Sequence, residues 1–114
     1  MSECLFCKIA SGKIPSEKVA ESEKLFAFRD INPQAPTHIL IIPKKHIENN
    51  LSLKDEDKEL IGEVHLLANQ IAMKEGIDKS GFRLVTNNGS NAGQAVFHIH
   101  FHLLGGRIML WPPG

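Results

Sequence analysis

The sequence of 114 residues is long enough for one domain with a single hydrophobic core and too short for two, so residues 1–114 are expected to form one domain. Thirteen basic residues balance thirteen acidic ones, which excludes a net charge that would attract nucleic acid or an anionic membrane. The longest apolar run, 39–42, is far short of a membrane span, and the N-terminus lacks the basic and apolar regions of a signal peptide, so a cytoplasmic protein is expected.

The first half of the chain predicts one short helix and three strands. The helix is expected over Glu3 to Ser11, with Ser2 as its N-cap and Gly12 as its C-terminal stop. The strands are expected at residues 18–21, 24–29 and 37–42. The segment 30–36 contains two prolines and an asparagine, so a loop is predicted before the third strand.

A long amphipathic helix dominates the second half of the chain. Apolar residues recur at helical spacing from about Asp55 to Glu75, and Gly76 ends the pattern. Two further strands are expected at 82–86 and 96–104, with a loop over 87–94 between them. This order of elements predicts an α+β fold in which helices cover one face of an antiparallel sheet.

Three of the six histidines, His98, His100 and His102, occupy every second position of the run AVFHIHFHLLGG. In a strand these imidazoles would share one face, with neighbours about 6.8 Å apart and the outer pair about 13 Å apart. Neighbouring imidazoles at that spacing can bind one ion, but all three on a straight strand cannot readily do so. Imidazole is also suited to nucleophilic attack near neutral pH, so metal binding, catalysis and plain packing all remain open.

The loop before the histidines, NNGSNAGQ over 87–94, is rich in glycine and asparagine. The backbone N–H groups of such a loop can bind a phosphate group. Next to a row of imidazoles, the loop favours phosphoryl or nucleotidyl transfer, in which positioning and charge neutralisation supply most of the catalysis.

The only cysteines, Cys4 and Cys7, form a C-x-x-C pair. A disulfide across so short a loop would constrain little of the unfolded chain. A thioredoxin-like pair would follow a strand, and no strand is predicted before Cys4. Three interpretations remain: a redox pair, half of a zinc site that takes histidine or carboxylate ligands from elsewhere, or two packed thiols.

The motif HIHFHLL resembles the His-x-His-x-His-x-x signature, with x apolar, of the histidine triad (HIT) superfamily. The similarity extends to FRDINPQAPTHILIIPKKHI, to NNGSNAGQ and to the ending LLGGRIMLWPPG, which look like the Hint branch of nucleoside phosphoramidases. The resemblance implies a HIT-like fold, in which a five-stranded antiparallel sheet carries a short N-terminal helix and one long helix. It also implies a homodimer in which the sheet continues across both copies.

An enzyme of this branch would hydrolyse nucleoside 5′-phosphoramidates and acyl-nucleotide adducts to a nucleoside monophosphate such as AMP. By position in the motif, His100 would be the nucleophile that forms a nucleotidyl-histidine, His102 would hydrogen-bond the phosphate, and His38 would lie beside them as a further catalytic histidine. The resemblance implies that a purine nucleotide also contacts Phe6, Ile9, Phe28, Asp30, Ile31, Asn87, Gly93, Gln94 and Ala95. From the residues alone, several of these positions equally suit a hydrophobic core or a capped loop.

Ala95 departs from the family pattern, in which many members carry a serine whose hydroxyl reaches the phosphate or the leaving group. Alanine leaves only a backbone contact, and the loss of one transition-state hydrogen bond costs about 1–3 kcal/mol. Two alternatives therefore stay open. One is a nucleotide-binding or partner-binding module with weak hydrolysis, and the other is a dinucleoside polyphosphate hydrolase.

Some bacterial HIT proteins resemble this chain in a second respect, because they bind zinc through an N-terminal C-x-x-C, a later histidine and the first histidine of the triad. The matching positions are Cys4, Cys7, His46 and His98, a Cys₂His₂ set that suits tetrahedral zinc. The resemblance thus implies one structural zinc ion per chain, with no place left on the metal for substrate. The alternative is a pair of buried thiols beside a metal-free His46.

Overall fold

A five-stranded antiparallel sheet forms the centre of the protein, whose computed structural model describes residues 4–114. In chain order the strands are β1 (Lys18–Glu21), β2 (Leu25–Arg29), β3 (Thr37–Pro43), β4 (Phe82–Val85) and β5 (Phe101–Gly105). Their order across the sheet is β1-β2-β3-β5-β4, and each neighbouring pair is antiparallel. This order places β5, with the last histidine of the run, between β3 and β4.

Two α-helices of residues 4–114 pack against opposite faces of the sheet. Helix α1 spans Leu5–Ala10 and helix α2 spans Lys58–Glu75, while short 3₁₀ helices lie at 50–52, 55–57 and 90–92. The predicted α+β fold, with a five-stranded sheet, a short N-terminal helix and one long helix, is confirmed. The prediction that the helices share one face was wrong, because α1 and α2 pack on separate cores. None of the described helices is both long and apolar enough to span a membrane.

Alternation of side chains along β2 and β3 produces the two cores. The core under α2 contains Leu25, Ala27, Ile39 and Ile41 from these strands and Leu60, Val64, Ala68 and Ile71 from the helix. The smaller core under α1 contains Phe26, Phe28, Leu40 and Ile42 together with Phe6 and Ile9. Because both faces of these strands are buried, their sequences are almost continuously apolar rather than alternating.

Helix α1 begins later than the sequence predicts. The expected cap Ser2 and the expected first residue Glu3 lie outside the described residues. Within the described part of the chain, Cys4 has an extended conformation and serves as the N-cap, and its sulfur accepts a hydrogen bond from the backbone N–H of Cys7 at 3.4 Å. This sulfur takes the place that the side-chain oxygen of Ser or Asp usually fills at an N-cap.

The last strand begins at Phe101, not at Val96 as predicted. The antiparallel register ends because Pro43 of β3 has no N–H to donate, and the N–H of Ile99 donates instead to the carbonyl of Ile47 at 2.6 Å. On the other side, the hydroxyl of Thr86 donates to the carbonyl of His100 at 2.9 Å. His98 and His100 therefore precede the strand, and only His102 lies within it.

The end of β5 depends on a close approach that only glycine permits. A Cβ on Gly105 would lie 2.5 Å from Cδ1 of Ile77, and 3.1 and 3.2 Å from its Cβ and Cγ2, which cannot both rotate away. We expect Gly105→Ala to lower the free energy of unfolding by about 1–3 kcal/mol through overpacking, as measured by urea denaturation. Gly62→Ala on α2 is the matched control, since a Cβ there meets open space. Replacing a glycine inside a helix by alanine should not lower the free energy of unfolding. Equal stability of Gly105→Ala and wild type would contradict this account of the packing.

Candidate functional site

The three histidines of the run lie on the face of the sheet that α1 covers. His98 and His100 are buried, at 0% and 6% exposure, and the ring of Phe6 from α1 packs edge-on against both. The intervening residues Ile99 and Phe101 point into the opposite core under α2. The alternation predicted for a strand thus holds through this segment even where the strand hydrogen bonds do not form.

The protonation of His100 is set by its own backbone neighbourhood. Its Nδ1 lies 2.8 Å from the carbonyl oxygen of His98. A carbonyl can only accept, so Nδ1 carries the proton and Nε2 has a free lone pair. Burial lowers the pKa of His100, which keeps the ring neutral at pH 7. Within residues 4–114, no group makes a hydrogen bond to this Nε2, so the lone pair is available to an electrophile.

A second chain of hydrogen bonds fixes the protonation of His102. The backbone N–H of Gln34 donates to Nδ1 of His38 at 3.0 Å, so the proton of His38 is on Nε2. That Nε2–H lies 2.9 Å from Nδ1 of His102 and donates to it. His102 therefore carries its own proton on Nε2 and presents an N–H donor. Its ring lies beside that of His100, with the two ring centroids 5.0 Å apart.

Burial also controls the charge of His102. Burial is the largest cause that lowers its pKa from 6.5 to about 4, and the neighbouring His100 and His38 lower it further. The pKa of His38 is also lowered, chiefly by burial, although Asp30 opposes this shift. These rings are neutral at pH 7, so the donor and acceptor pattern of the site is that of uncharged imidazoles.

The lowered pKa of His102 predicts that the protein loses stability in mild acid. Between pH 6.5 and about 4 the unfolded state binds a proton that the folded ring does not, so the free energy of unfolding falls as the pH falls through this window. The full effect is roughly 3 kcal/mol for this one ring. Urea unfolding at about pH 7.5 and about pH 5 captures roughly 2 kcal/mol of it, and His102→Asn should show a smaller loss between the two. An identical loss in the variant would contradict the assignment to His102.

The residues predicted to bind zinc come together at the N-terminus of α1. Nδ1 of His98 lies 3.3 Å from the sulfur of Cys4 and 3.6 Å from that of Cys7, and Nδ1 of His46 lies 3.5 Å from the sulfur of Cys7. All four ligand atoms lie within 4.8 Å of one another. Tetrahedral zinc with ordinary Zn–S and Zn–N bonds requires sulfur and nitrogen about 3.5 Å apart. The three sulfur–nitrogen distances given above match this value, so the donor set and its spacing fit a zinc ion.

The second nitrogen of His98 supports the same interpretation. Its Nε2 lies 2.8 Å from the carbonyl oxygen of Pro43, so Nε2 carries the proton and Nδ1 offers a lone pair toward the cysteines. Ligating histidines usually donate their other N–H in this way, which fixes the ring. The Cys₂His₂ cluster and His100 are joined through His98, whose side chain faces the cysteines and whose carbonyl accepts a hydrogen bond from Nδ1 of His100.

A second cluster, Asp30, His38 and His102, is equally compact but chemically different. Nε2 of His38 lies 3.4 Å from a carboxylate oxygen of Asp30 and 2.9 Å from Nδ1 of His102. The N–H of Gln34 forces the proton of His38 onto this Nε2, so the atom that would have to ligate a metal has no lone pair. This cluster is therefore suited to hydrogen bonding rather than to metal binding.

The residues predicted to enclose a purine base separate into two groups. Phe6, Ile9 and Phe28 pack together beneath α1 and are buried, with the rings of Phe6 and Phe28 5.7 Å apart. Ile31 is fully exposed at the start of the 30–36 loop and takes no part in this cluster. Asp30, predicted to bind ribose, sits beside His38 and also accepts a hydrogen bond from the backbone N–H of Asn32.

The predicted phosphate loop is organised by Gln94. Its side-chain oxygen accepts from the N–H of Gly89 at 2.8 Å, and its amide nitrogen donates to the carbonyls of Glu48 and Val96. The side chain is thus occupied in holding the loop, and the backbone N–H groups of Gly93 and Gln94 also donate within it, to the carbonyls of Ser90 and Gly89. Asn87 is half-buried, while Gly93 and Ala95 are exposed, and Gly93 has a left-handed φ of 85°.

Several groups that organise the site were not predicted from the sequence. They are mostly backbone atoms: the N–H of Gln34, the carbonyl of Pro43 and the carbonyl of His98. Every residue has a backbone carbonyl, and all but proline have a backbone N–H, so residue identity does not indicate which of these groups will contact the site. Thr86 is the one side chain among these groups, and as a polar residue beside the predicted loop it could have been proposed as a contact of the histidine segment.

The fold and the site together define a protein that holds a row of neutral imidazoles on one side of an antiparallel sheet, next to a Cys₂His₂ cluster. The model of the HIT domain family matches residues 11–109, so the chain belongs to this family. A structural relative, the HIT family hydrolase from Legionella pneumophila Philadelphia 1, is 55% identical, covers 98% of this chain and 100% of its own, and superposes with a TM-score of 0.96.

Other relatives have the same overall extent. A histidine triad protein from Clostridium difficile is 44% identical, with 96% of each chain covered and a TM-score of 0.94. The 14 kDa zinc-binding protein of Zea mays is 50% identical over 117 residues, which span 99% of this chain and 89% of that protein. An uncharacterised HIT-like protein of Synechocystis is 46% identical over 98% of this chain and 97% of its own.

Proposed function

We propose that the protein is a nucleoside phosphoramidase, a hydrolase that converts nucleoside 5′-phosphoramidates and acyl-nucleotide adducts to a nucleoside monophosphate such as AMP. One observation carries the proposal: the carbonyl of His98 holds the proton on Nδ1 of His100, which leaves an unprotonated Nε2 on a neutral ring. Such a nitrogen is a competent nucleophile at neutral pH without a separate base. The hydrolase named among the structural relatives agrees with this reaction class.

The proposed reaction has two displacements at the α-phosphorus. Nε2 of His100 forms a bond to phosphorus while the bond from phosphorus to the leaving amine breaks, and the amine nitrogen takes a proton from solvent as it leaves. Water then attacks the phosphorus of the nucleotidyl-histidine, the bond to Nε2 breaks, and the nucleoside monophosphate is released. The attacking water of the second step returns one proton to solvent, so the protons balance. Splitting one hydrolysis into two steps at a fixed nucleophile is the usual advantage of covalent catalysis.

His102 is proposed to stabilise the negative charge that develops on the phosphate oxygens. Its Nε2–H is fixed as a donor by His38, and it lies on the ring next to the nucleophile. A preorganised donor of this kind is worth roughly 10²–10³ in rate. In the same proposal the purine lies near Phe6, Ile9, Phe28 and Ile31, the ribose near Asp30, and the phosphate near the backbone of Asn87, Gly93, Gln94 and Ala95.

The four clustered cysteine and histidine residues are proposed to hold one structural zinc ion per chain. The ion would supply folding energy and no chemistry, because Cys4, Cys7, His46 and His98 fill a tetrahedral shell. The similarity to a zinc-binding protein of Zea mays supports this proposal. Ligation of His98 would also anchor the carbonyl that orients His100. Reduced thiols of this kind suit the cytoplasm, where the protein is expected to act.

We also propose a homodimer in which the sheet continues from one copy to the next. Strand β4 lies at one end of the strand order and is bonded to β5 on one side, which leaves its other edge available for pairing. Phe82 on this strand is 37% exposed. Pairing of two β4 strands would cover such apolar surface.

A nucleotide-binding module with weak hydrolysis is the second candidate, and Ala95 favours it. The side chain at this exposed position offers no hydroxyl to a leaving group. A dinucleoside polyphosphate hydrolase is a further alternative within the enzyme class.

Hydrolysis of two substrates by the purified protein distinguishes these functions. The proposal predicts rapid release of AMP from an adenosine 5′-phosphoramidate and much slower cleavage of a diadenosine polyphosphate. The reverse order of rates would support the polyphosphate hydrolase. Tight binding of AMP without turnover of either compound would support the binding module, and faster turnover by Ala95→Ser would identify the missing hydroxyl as the cause.

A further inference from the structure

The segment that leaves β5 is attached to the loop over residues 30–36 at two points. Gly106 has a left-handed φ of 91°, and a Cβ at this position would lie 3.0 Å from Cβ of Pro36, so the glycine packs closely on the proline ring. The next residue, Arg107, donates from Nε to the carbonyl oxygen of Gln34 at 2.9 Å. A second donor of the same guanidinium binds the carbonyl of Ile108 at 3.1 Å, which fixes its orientation.

The loop that Arg107 holds contains the group that sets the protonation of the histidines. Gln34 receives the guanidinium at its carbonyl and donates its N–H to Nδ1 of His38. The hydrogen bond to His38 comes from the backbone of Gln34, because its side-chain amide donates instead to the carbonyl of Asn32. The backbone position of Gln34 is therefore what matters, and Arg107 is the side chain that fixes it from the end of β5.

Release of Gln34 would change the donor that His102 presents. A neutral imidazole has one N–H, and the Gln34 donor is what excludes that proton from Nδ1 of His38. Without this donor the carboxylate of Asp30, 3.4 Å from Nε2, still favours the Nε2–H form, but the Nδ1–H form becomes accessible. Nε2 of His38 would then accept, Nδ1 of His102 would have to donate, and Nε2 of His102 would lose its proton. The ring would turn a lone pair instead of an N–H toward the phosphate.

We propose that Arg107 is a positioning residue, which acts through Gln34 and His38 to hold the proton of His102 on Nε2. This inference rests on the proposed function only for its effect on rate, because the tautomer is a property of the protein itself. Arg107 touches no residue of the proposed nucleotide site except through Gln34. Its place is in the GGR sequence that follows β5, one residue beyond the glycine that packs on Pro36.

Nitrogen-15 NMR of histidine-labelled protein tests the tautomer directly. In wild type we expect the signals of His102 to show a protonated Nε2 and an unprotonated Nδ1. In Arg107→Ala we expect both signals to shift toward the average of two tautomers, and in Arg107→Lys, which keeps one donor for Gln34, a partial return. Arg83→Ala is the matched control, because its guanidinium donates to Leu110 and not to the 30–36 loop. Wild-type signals in Arg107→Ala would overturn the proposal.

Kinetics separate this inference from the proposed function. With an adenosine phosphoramidate, Arg107→Ala should lower kcat roughly 10-fold with little change in KM, since one preorganised donor is partly lost. A change in KM alone would overturn the positioning role in catalysis. If wild type does not hydrolyse the phosphoramidate, the proposed function fails, while the NMR result still decides whether Arg107 sets the tautomer.

Discussion

Replacement of His100 by alanine is expected to abolish hydrolysis of an adenosine phosphoramidate, with kcat falling roughly 10⁴-fold or more. The neutral ring with its proton held on Nδ1 by the carbonyl of His98 is the only nucleophile that the proposed reaction uses. Affinity for AMP should change little, because the ring is buried against Phe6 and alanine leaves the loop and the apolar cluster in place. Stopped assays of AMP release, with isothermal titration of AMP as the binding measurement, give both quantities.

His65→Ala provides the matched control for this loss. His65 lies on the exposed side of α2, with its ring 6.4 Å from Phe101 and on the opposite face of the sheet from the site. Its substitution should leave kcat and KM unchanged. Activity of His100→Ala equal to that of wild type would show that another residue attacks phosphorus, and the account of the site would be wrong.

Removal of the metal is expected to have the largest effect on stability. Folded protein should contain one zinc ion per chain by elemental analysis, and chelation should lower the free energy of unfolding by roughly 3 kcal/mol or more, or Tm by about 10 °C. The cause is that zinc joins the start of α1 to the segments that carry His46 and His98, which are otherwise distant in sequence. Thermal unfolding with and without a chelator measures the effect.

Three variants separate the loss of zinc ligation from general damage to the fold. Cys7→Ser should contain no zinc and should unfold at the same temperature with and without chelator. His46→Asn should lose zinc, whereas His65→Asn, which replaces a histidine of α2 outside the cluster, should retain it. Wild-type protein with no stoichiometric zinc, and with no response to chelator, would contradict the assignment.

The elements of the fold were largely predictable because their patterns are local. The helical spacing of α2, the β-branched run of β3 and the prolines of the 30–36 loop each act within a few residues, and the structure has each of them. The side of the sheet that α1 covers was not predictable, because α1 is too short for its pattern to choose a face. It lies opposite α2 because β2 and β3 carry apolar side chains on both faces.

The extent of β5 shows a second limit of the sequence. Alternation from Val96 to Leu104 predicts one long strand, and the alternation of faces is real, since Ile99 and His100 point to opposite sides. Strand pairing, however, depends on a partner at each position, and Pro43 on the neighbouring strand has no N–H to offer. A pattern within one segment cannot reveal what its neighbour in the sheet lacks.

The candidate site was predictable as a set of side chains but not as a set of proton positions. The resemblance to the HIT superfamily placed His38, His100 and His102 together, and the C-x-x-C pair with His46 and His98, and both groups are close in the structure. Which nitrogen of each ring is protonated depends on the carbonyls of Pro43 and His98 and on the N–H of Gln34. These backbone groups give similar histidines different free nitrogens: a lone pair on Nδ1 of His98, a lone pair on Nε2 of His100 and, through His38, an N–H on Nε2 of His102.

Trapping of the covalent intermediate tests the central claim most directly. Wild-type protein is mixed with an adenosine phosphoramidate and quenched in alkali during the first turnover. Alkali is used because phosphorus–nitrogen bonds to imidazole survive base better than acid. The peptides are then analysed by mass spectrometry. We predict an adenylyl group on the peptide that contains the triad, located at His100 by fragmentation and lost in His100→Ala but retained in His65→Ala. Turnover with no adduct, or with the adenylyl group on another residue, would contradict the assignment of His100 as the nucleophile.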